Sequence, residues 1–219
     1  MRVTTLGDGA RGLDANTPIT AKAAAAFVAK GYQFAIRYVR RTQPHAYDLT
    51  ATELLAILDA GLGLMAVQHV APENWTPTGD VGTEYGAIAA SECQWIGIPT
   101  GVTVWCDLEG VQDGVPHADV IACCANWYAA VAGAGYVPGL YVGFGAGLTG
   151  EELYEALPFQ AYWSAYNLDR DKYPAVRGVQ MRQLSARGND LIPGFTTDNL
   201  DVDVIQRDRL GGTPSVLVR

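Results

Sequence analysis

Two acidic residues follow an apolar run in the middle of the chain. Residues 102–106 are mostly β-branched or aromatic and lead directly into Asp107-Leu108-Glu109. Side chains two positions apart on a strand point to the same side, so we expect Asp107 and Glu109 to share one face. Close like charges raise at least one pKa unless a cation compensates, and a raised pKa suits a general acid at neutral pH. The spacing indicates acid catalysis or, alternatively, two residues past the strand end that cap the next helix.

Other polar side chains fall at or near the ends of further candidate strands. In a parallel barrel the strands deliver catalytic residues at their C-terminal ends. By that rule the additional candidates are Asp14, Arg37, His69, Tyr141, Tyr166, Gln183, Asp201 and Asp203. Four of them also have a structural interpretation, namely a cap or turn for Asp14, a turn on a solvated edge for Asp201 and Asp203, and a core or loop histidine with its hydrogen bonds satisfied for His69. Trp75, in a polar loop after a strand, is the best candidate for stacking on a sugar.

The elements that must position these residues alternate along the chain. Apolar runs predict strands at 12–14, 34–39, 64–69, 103–109, 139–142, 161–165, 178–184 and around 200–204. Helical runs fall at 20–30, 50–60, 82–96, 116–132 and 150–157. This alternation is typical of an α/β fold with parallel strands. No GxGxxG follows the first strand, so a single (β/α)8 TIM-type barrel is favoured over a doubly wound sheet, with degenerate last units and a core of about 10–206 within one domain spanning 1–219.

Composition limits the ligands and partners. The 219 residues carry a formal net charge of −8 and contain no run of Lys or Arg, so we expect no nucleic-acid partner. No apolar run reaches the roughly 20 residues that span a bilayer, and the N-terminus lacks the apolar region of a secretory signal. We therefore expect neither membrane insertion nor a signal peptide in this chain.

The four cysteines predict core packing rather than metal binding. They form no CxxC pair, and no His lies at metal-ligand spacing, so we expect no metal and no cofactor. Cysteine is often buried as a small apolar residue. A disulfide from Cys93 to Cys123 or Cys124 is the alternative if the protein works outside the cell.

The order of these motifs resembles that of glycoside hydrolase family 25 lysozymes. It also resembles a related glycoside-hydrolase-like domain of unknown function from actinobacteria and their phages. The resemblance rests on Gly12-Leu13-Asp14, Tyr32-Gln33-Phe34-Ala35-Ile36-Arg37, Asp107-Leu108-Glu109, Gly139-Leu140-Tyr141, Ala161-Tyr162-Trp163-Ser164-Ala165-Tyr166 and Leu200-Asp201-Val202-Asp203-Val204. The third strand departs from the lysozyme pattern: it ends in Gln68-His69-Val70, where a Tyr-His-aromatic triplet is usual.

The resemblance implies a glycosidase of the lysozyme (muramidase) type that acts on peptidoglycan or a related N-acetylated cell-wall glycan. Glu109 would be the catalytic acid, with Asp14, Asp107 and Asp201 lining the site. Asp203 stands where the lysozymes tend to have Asn and would add negative charge. The alternative is a catalytically silent glycan-binding or structural module of a phage particle or cell envelope, with other virion or envelope proteins as partners. Either implies an extracellular, cell-wall-associated or virion-borne protein.

A working acid also makes demands on the nearby cations. Arg37 would favour the ionised form of Glu109, so an enzyme should keep Arg37 paired with another carboxylate, and Asp14 is the expected partner. A silent binding module has no such requirement. The pKa of Glu109 therefore separates the two hypotheses.

Overall fold

The computed structural model describes residues 1–219 and contains ten strands, five α-helices and a short 3-10 helix. The strands are β1 Arg2–Thr5, β2 Arg11–Ala15, β3 Phe34–Val39, β4 Gly63–Gln68, β5 Thr103–Leu108, β6 Val137–Val142, β7 Ala161–Ser164, β8 Met181–Ser185, β9 Leu200–Ile205 and β10 Ser215–Val218. The α-helices are α1 Ala21–Ala29, α2 Ala51–Asp59, α3 Gly79–Ile96, α4 His117–Gly133 and α5 Gly150–Glu155, and the 3-10 helix is Arg170–Lys172.

Eight of the strands close into a barrel. Their order is β4-β3-β2-β9-β8-β7-β6-β5, and the pairing of β5 with β4 completes the ring. One α-helix follows each strand from β2 to β6, only the 3-10 helix follows β7, and no helix follows β8. The predicted α/β barrel with degenerate last units is therefore confirmed.

The last barrel strand runs against the others. Strands β2 to β8 pair in parallel, whereas β9 is antiparallel to both of its neighbours, β8 and β2. The expectation that all eight strands are parallel is wrong for β9. A parallel return requires a crossover, usually helical, and the β8–β9 connection at 186–199 contains no helix.

Threonine side chains start four of the five α-helices. Thr20, Thr50, Thr78 and Thr149 each accept a hydrogen bond from a backbone N–H in the first turn, which satisfies a donor that has no partner within the helix. Thr78 caps α3, which begins at Gly79, three residues before the predicted start at 82. Helix α3 then packs against α4 at Gly82, where a Cβ would lie 2.0 Å from the carbonyl oxygen of Cys123.

The two ends of the chain form a hairpin-like pair beside the barrel. Strand β1 pairs antiparallel with β10, and Leu217 of β10 is the register partner of Leu64 in β4. The C-terminal half of β4 pairs with β5. At the N-terminal end of β5, the backbone N–H of Ser215 donates to Thr103 Oγ1 at 2.9 Å. Strand β10 therefore lies between the N-terminal halves of β4 and β5. These strands lie outside the predicted core of 10–206.

One cluster of 58 buried hydrophobic residues forms the core. Cys93, Cys123 and Cys124 are buried and Cys106 is partly exposed, and all four are free thiols, so the alternative of a disulfide is not realised. None of the helices has the length and apolar character needed to cross a bilayer.

Candidate functional site

A chain of hydrogen bonds crosses the inside of the barrel. Tyr141 Oη on β6 donates to Gln183 Oε1 on β8 at 3.0 Å, and Gln183 Nε2 donates to Asp14 Oδ2 on β2 at 2.9 Å. Tyr38 Oη on β3 donates to Asp14 Oδ1 at 3.1 Å. Because β7 lies between β6 and β8, and β9 between β8 and β2, the first two bonds must pass through the interior. Asp14, Tyr38, Tyr141 and Gln183 therefore point inward.

The strand register brings the remaining acids to the same interior. Asp14 is the partner of Asp201, Gln183 the partner of Asp203, and Asp107 the partner of Tyr141. Register partners point to the same side of a sheet, so all of these side chains face inward. Asp201 reaches this end through the N-terminal end of the reversed strand β9. Strand β9 thus supplies its acid in spite of its direction.

Burial dominates the electrostatics of Asp14. The side chain is buried, and burial raises its pKa from 3.8 to about 6, while the donor from Gln183 opposes the rise and the charge of Asp201 adds to it. Asp203 is fully buried, and neither of its carboxylate oxygens has a hydrogen-bond partner. Burial, then the charges of Asp14 and Asp201, raises the pKa of Asp203 well above its usual range. Burial and the neighbouring carboxylates therefore favour the protonated form of Asp203.

Asp107 and Glu109 form a second acidic pair on the opposite wall. Asp107 is buried, and burial together with the charge of Glu109 raises its pKa well above the ordinary value. Glu109, one residue past β5, is partly exposed, and burial raises its pKa as well. Glu109 packs closely on Gly143, where a Cβ would lie 2.1 Å from Glu109 Oε2. Any side chain at position 143 would therefore displace Glu109.

The cation beside this pair is Arg41, which the sequence reasoning did not select. Its charge opposes the rise in pKa of both Asp107 and Glu109. Arg41 Nε donates to the carbonyl oxygen of His69 at 2.5 Å, and its guanidinium lies 5.4 Å from the ring centre of Trp75. The available signal was its position just after the C-terminal end of β3.

Arg37 lies away from the acids. Its side chain is fully buried, and Arg37 Nε lies 2.5 Å from Glu53 Oε1 of α2. The expected partner Asp14 is wrong because Arg37 is in register with Ala15, whereas Asp14 is in register with the neighbouring Ile36. Arg37 therefore points to the helices, and no ligand at the barrel mouth can reach it.

His69 and Trp75 lie on two sides of the acids. His69 Nε2 is 2.6 Å from Asp48 Oδ1, and the imidazole stacks on the Tyr38 ring at 4.9 Å between centres. Trp75 Nε1 donates to the carbonyl oxygen of Glu109 at 2.8 Å, so the indole is fixed beside the acid. Tyr166, after β7, is 56% exposed and makes no side-chain hydrogen bond within the chain.

Two cavities flank the carboxylates. One of about 490 Å³ lies beside Tyr38 and is lined by Asn16, Thr17, Pro18, Tyr47, His69 and Val70 as well. The other, of about 400 Å³, adjoins Glu109 through Gly143 and is lined by the loop 143–149 together with 167–169, His117 and Lys172. Both volumes are typical of small-molecule sites. One cavity therefore adjoins Asp14 through Tyr38, and the other adjoins Glu109 through Gly143, although none of the four acids lines either cavity.

A comparison with protein-family models identifies the family of the chain. The family model described as "Rv2525c-like, glycoside hydrolase-like domain" matches residues 25–204. The chain belongs to this family. No curated protein matches the chain in sequence.

Solved structures with the same fold include a protein of this family and lysozymes. The Tat-secreted protein Rv2525c of Mycobacterium tuberculosis, solved with L-tartrate, has a TM-score of 0.67 at 15% identity, over 94% of this chain and 98% of that one. A lysozyme from Streptomyces coelicolor has a TM-score of 0.61 at 13% identity, over 95% and 94%. The catalytic domain of endolysin ply40, from bacteriophage P40 of Listeria monocytogenes, has a TM-score of 0.58 at 18% identity, over 90% and 93%. The resemblance to a glycoside-hydrolase-like family with lysozyme relatives is thus confirmed, and these identities establish a shared fold.

Proposed function

We propose that the chain is a glycosidase that cleaves peptidoglycan or a related N-acetylated cell-wall glycan, with Glu109 as the general acid. The observation that carries the proposal is the meeting of two acidic pairs, Asp14 with Asp201 and Asp107 with Glu109, at one end of the barrel. Carboxyl groups on either side of a glycosidic bond are the usual means of hydrolysing it. The fold shared with lysozymes and an endolysin adds support.

The proposed roles follow from burial and hydrogen bonding. Glu109 is the more exposed member of its pair and can meet the leaving-group oxygen, while burial raises its pKa, which is the direction that a general acid requires. The buried Asp107 would orient the acetamido group of the sugar. Asp14 is held by Tyr38 and Gln183 and would accept hydrogen bonds from sugar hydroxyls, together with Asp201.

The flanking residues would bind neighbouring parts of the glycan. Trp75 offers an aromatic face beside Glu109, and His69 with Tyr38 offers a second one beside Asp14. Tyr166 is free to contact a ligand from the loop after β7. Because the site concentrates acidic groups, we expect uncharged or N-acetylated sugars to bind there more tightly than phosphorylated ones. The cellular setting would be extracellular, at the cell wall or on a virion.

The test is peptidoglycan cleavage by zymogram and turbidity assay. Glu109→Gln should lower activity by at least about 100-fold, the usual contribution of general acid catalysis. Glu84→Gln, an exposed position on α3, is the matched control and should keep full activity. Equal activity of the wild type and Glu109→Gln would refute the assignment of the acid.

A silent glycan-binding module is the second candidate, and the position of Arg41 favours it. The charge of Arg41 lowers the pKa of Glu109 toward the ionised state, which serves a binder better than an acid catalyst. Carbon-detected NMR titration of Glu109 separates the two functions. A pKa at or below the free value of about 4.3 would remove the general-acid role, whereas a value near 6 or above would support it.

A further inference from the structure

A third cavity lies on the outer side of the barrel, beside β8 and the segment 170–179. Its volume is about 490 Å³, and five of the chain's 15 basic residues line it. They are Arg170, Arg177, Arg182, Arg207 and Arg209. We name this cavity the arginine pocket. Arg207 follows the C-terminal end of β9, whereas Asp201 lies near its N-terminal end, and none of the acids of the candidate site lines the pocket.

The missing helices explain why the pocket is open. Arg182 on β8 points to the outside of the barrel because its neighbour Gln183 points inward. No helix follows β8 to cover that outer surface, and residues 170–179 fold over it instead. The walls are held by backbone hydrogen bonds from Ala175 to Gly150 at 2.7 Å and from Arg209 to Arg177 at 3.0 Å. The pocket is therefore a defined concavity of the fold.

Most of the positive charge in the pocket is unpaired. Arg177 binds Asp208, whose carboxylate also accepts from Gln180 and from the backbone N–H groups of Leu210 and Gly212. Asp208 is thus fully occupied. The side chains of the other four arginines make no hydrogen bond or ion pair, although Glu151 and Asp171 also line the cavity. Five positive and three negative groups leave a net charge of about +2 in a chain whose net charge is −8.

We propose that the arginine pocket binds a phosphate group carried on a small organic ester. Each guanidinium presents paired N–H donors that match the oxygens of a phosphate. Four unpaired guanidiniums offer more donors than a single carboxylate can accept, whereas a phosphate presents three or four oxygens. The cavity is larger than a bare phosphate requires, which leaves room for the organic part.

Two methods test the site on the full chain. Calorimetry measures the binding of inorganic pyrophosphate and of glycerol 3-phosphate. Co-sedimentation measures binding to vesicles of phosphatidylglycerol in phosphatidylcholine. The double variant Arg182→Gln/Arg207→Gln should weaken binding by at least about tenfold, since each arginine loses a charge-assisted bond to the anion. Neither side chain makes a hydrogen bond or ion pair with the rest of the protein, so the variant should keep the wild-type unfolding curve.

The control is Arg2→Gln/Lys22→Gln, which makes the same change in net charge at exposed positions outside the pocket. Its affinity should stay within about twofold of the wild type, because screened charges at that distance contribute little. Glycerol phosphate binding alone would identify a free phosphate ester, and vesicle binding that the pocket variant abolishes would identify a lipid headgroup. Binding equally affected by both double variants, or no binding of any probe, would overturn the proposal. Neither result depends on the proposed glycosidase activity.

Discussion

The raised pKa of Asp14 predicts that acid stabilises the protein in a way that Asp14→Asn removes. The folded-state pKa is about 6, against 3.8 for an ordinary aspartate, so the folded chain holds a proton that the unfolded chain has lost. Stability from this proton is present at low pH and is lost as the pH rises through 6. For one group, the free energy of unfolding should be about 1.4 kcal/mol higher at pH 5 than at pH 8.

The comparison with Asp14→Asn isolates this group from others that titrate. His69, whose pKa burial lowers, works in the opposite direction as the pH falls, but it does so in both proteins. The loss of hydrogen bonds at position 14 is independent of pH and cancels in the slope. Removing the charge of Asp14 also lowers the pKa of Asp203. The change in unfolding free energy between pH 5 and pH 8 should therefore differ between the two proteins by at least about 1.4 kcal/mol.

Urea unfolding at pH 5, 6, 7 and 8 measures both slopes. Asp113→Asn, at an exposed loop position, is the matched control and should follow the wild type throughout. If the wild type and Asp14→Asn gave parallel curves from pH 5 to 8, Asp14 would not be a perturbed acid, and the electrostatic account of the barrel mouth would fail.

Three further changes test other parts of the fold by urea unfolding. Glu53→Gln leaves the charge of the buried Arg37 unpaired and should cost about 3–5 kcal/mol; a loss below 1 kcal/mol would contradict the buried pair. Gly82→Ala forces a Cβ into the backbone of α4 and should cost about 1–3 kcal/mol, whereas Gly133→Ala, with open space around it, should cost nothing. Trp75→Phe keeps a ring but loses one hydrogen-bond donor, so a loss of about 1 kcal/mol is expected, and an unchanged stability would show that this bond contributes nothing.

Local sequence patterns were sufficient for most of the barrel. Apolar runs predict the strands β2 to β8, and threonine or glycine residues predict the ends of the helices between them. Helix ends can be predicted in this way because their backbone hydrogen bonding depends on a few adjacent residues. Asp107 could be placed inside the barrel from the period of its own strand. These features depend on residues that are neighbours in the chain.

Features that depend on distant pairing could not be predicted. Every residue of β3 except Arg37 is apolar or aromatic, so the strand alone does not say which side faces inward; the register with Asp14 decides it. The direction of β9 depends on how the connection at 186–199 folds, and that segment has no periodic pattern. The five arginines of the pocket are spread over 40 positions and converge only in the folded chain.

The pairing of β1 with β10 has a topological consequence. Arg2 and Val218 are register partners in an antiparallel pair, so their Cα atoms lie within about 5.5 Å of each other. A linker of a few residues could therefore join Arg2 to Val218 without disturbing either strand. The circular chain that results could then be opened at an exposed loop. A circular permutant of this kind would keep all ten strand positions while changing their order along the chain. The barrel mouth is defined by which strands are neighbours, and that arrangement is independent of where the polypeptide starts.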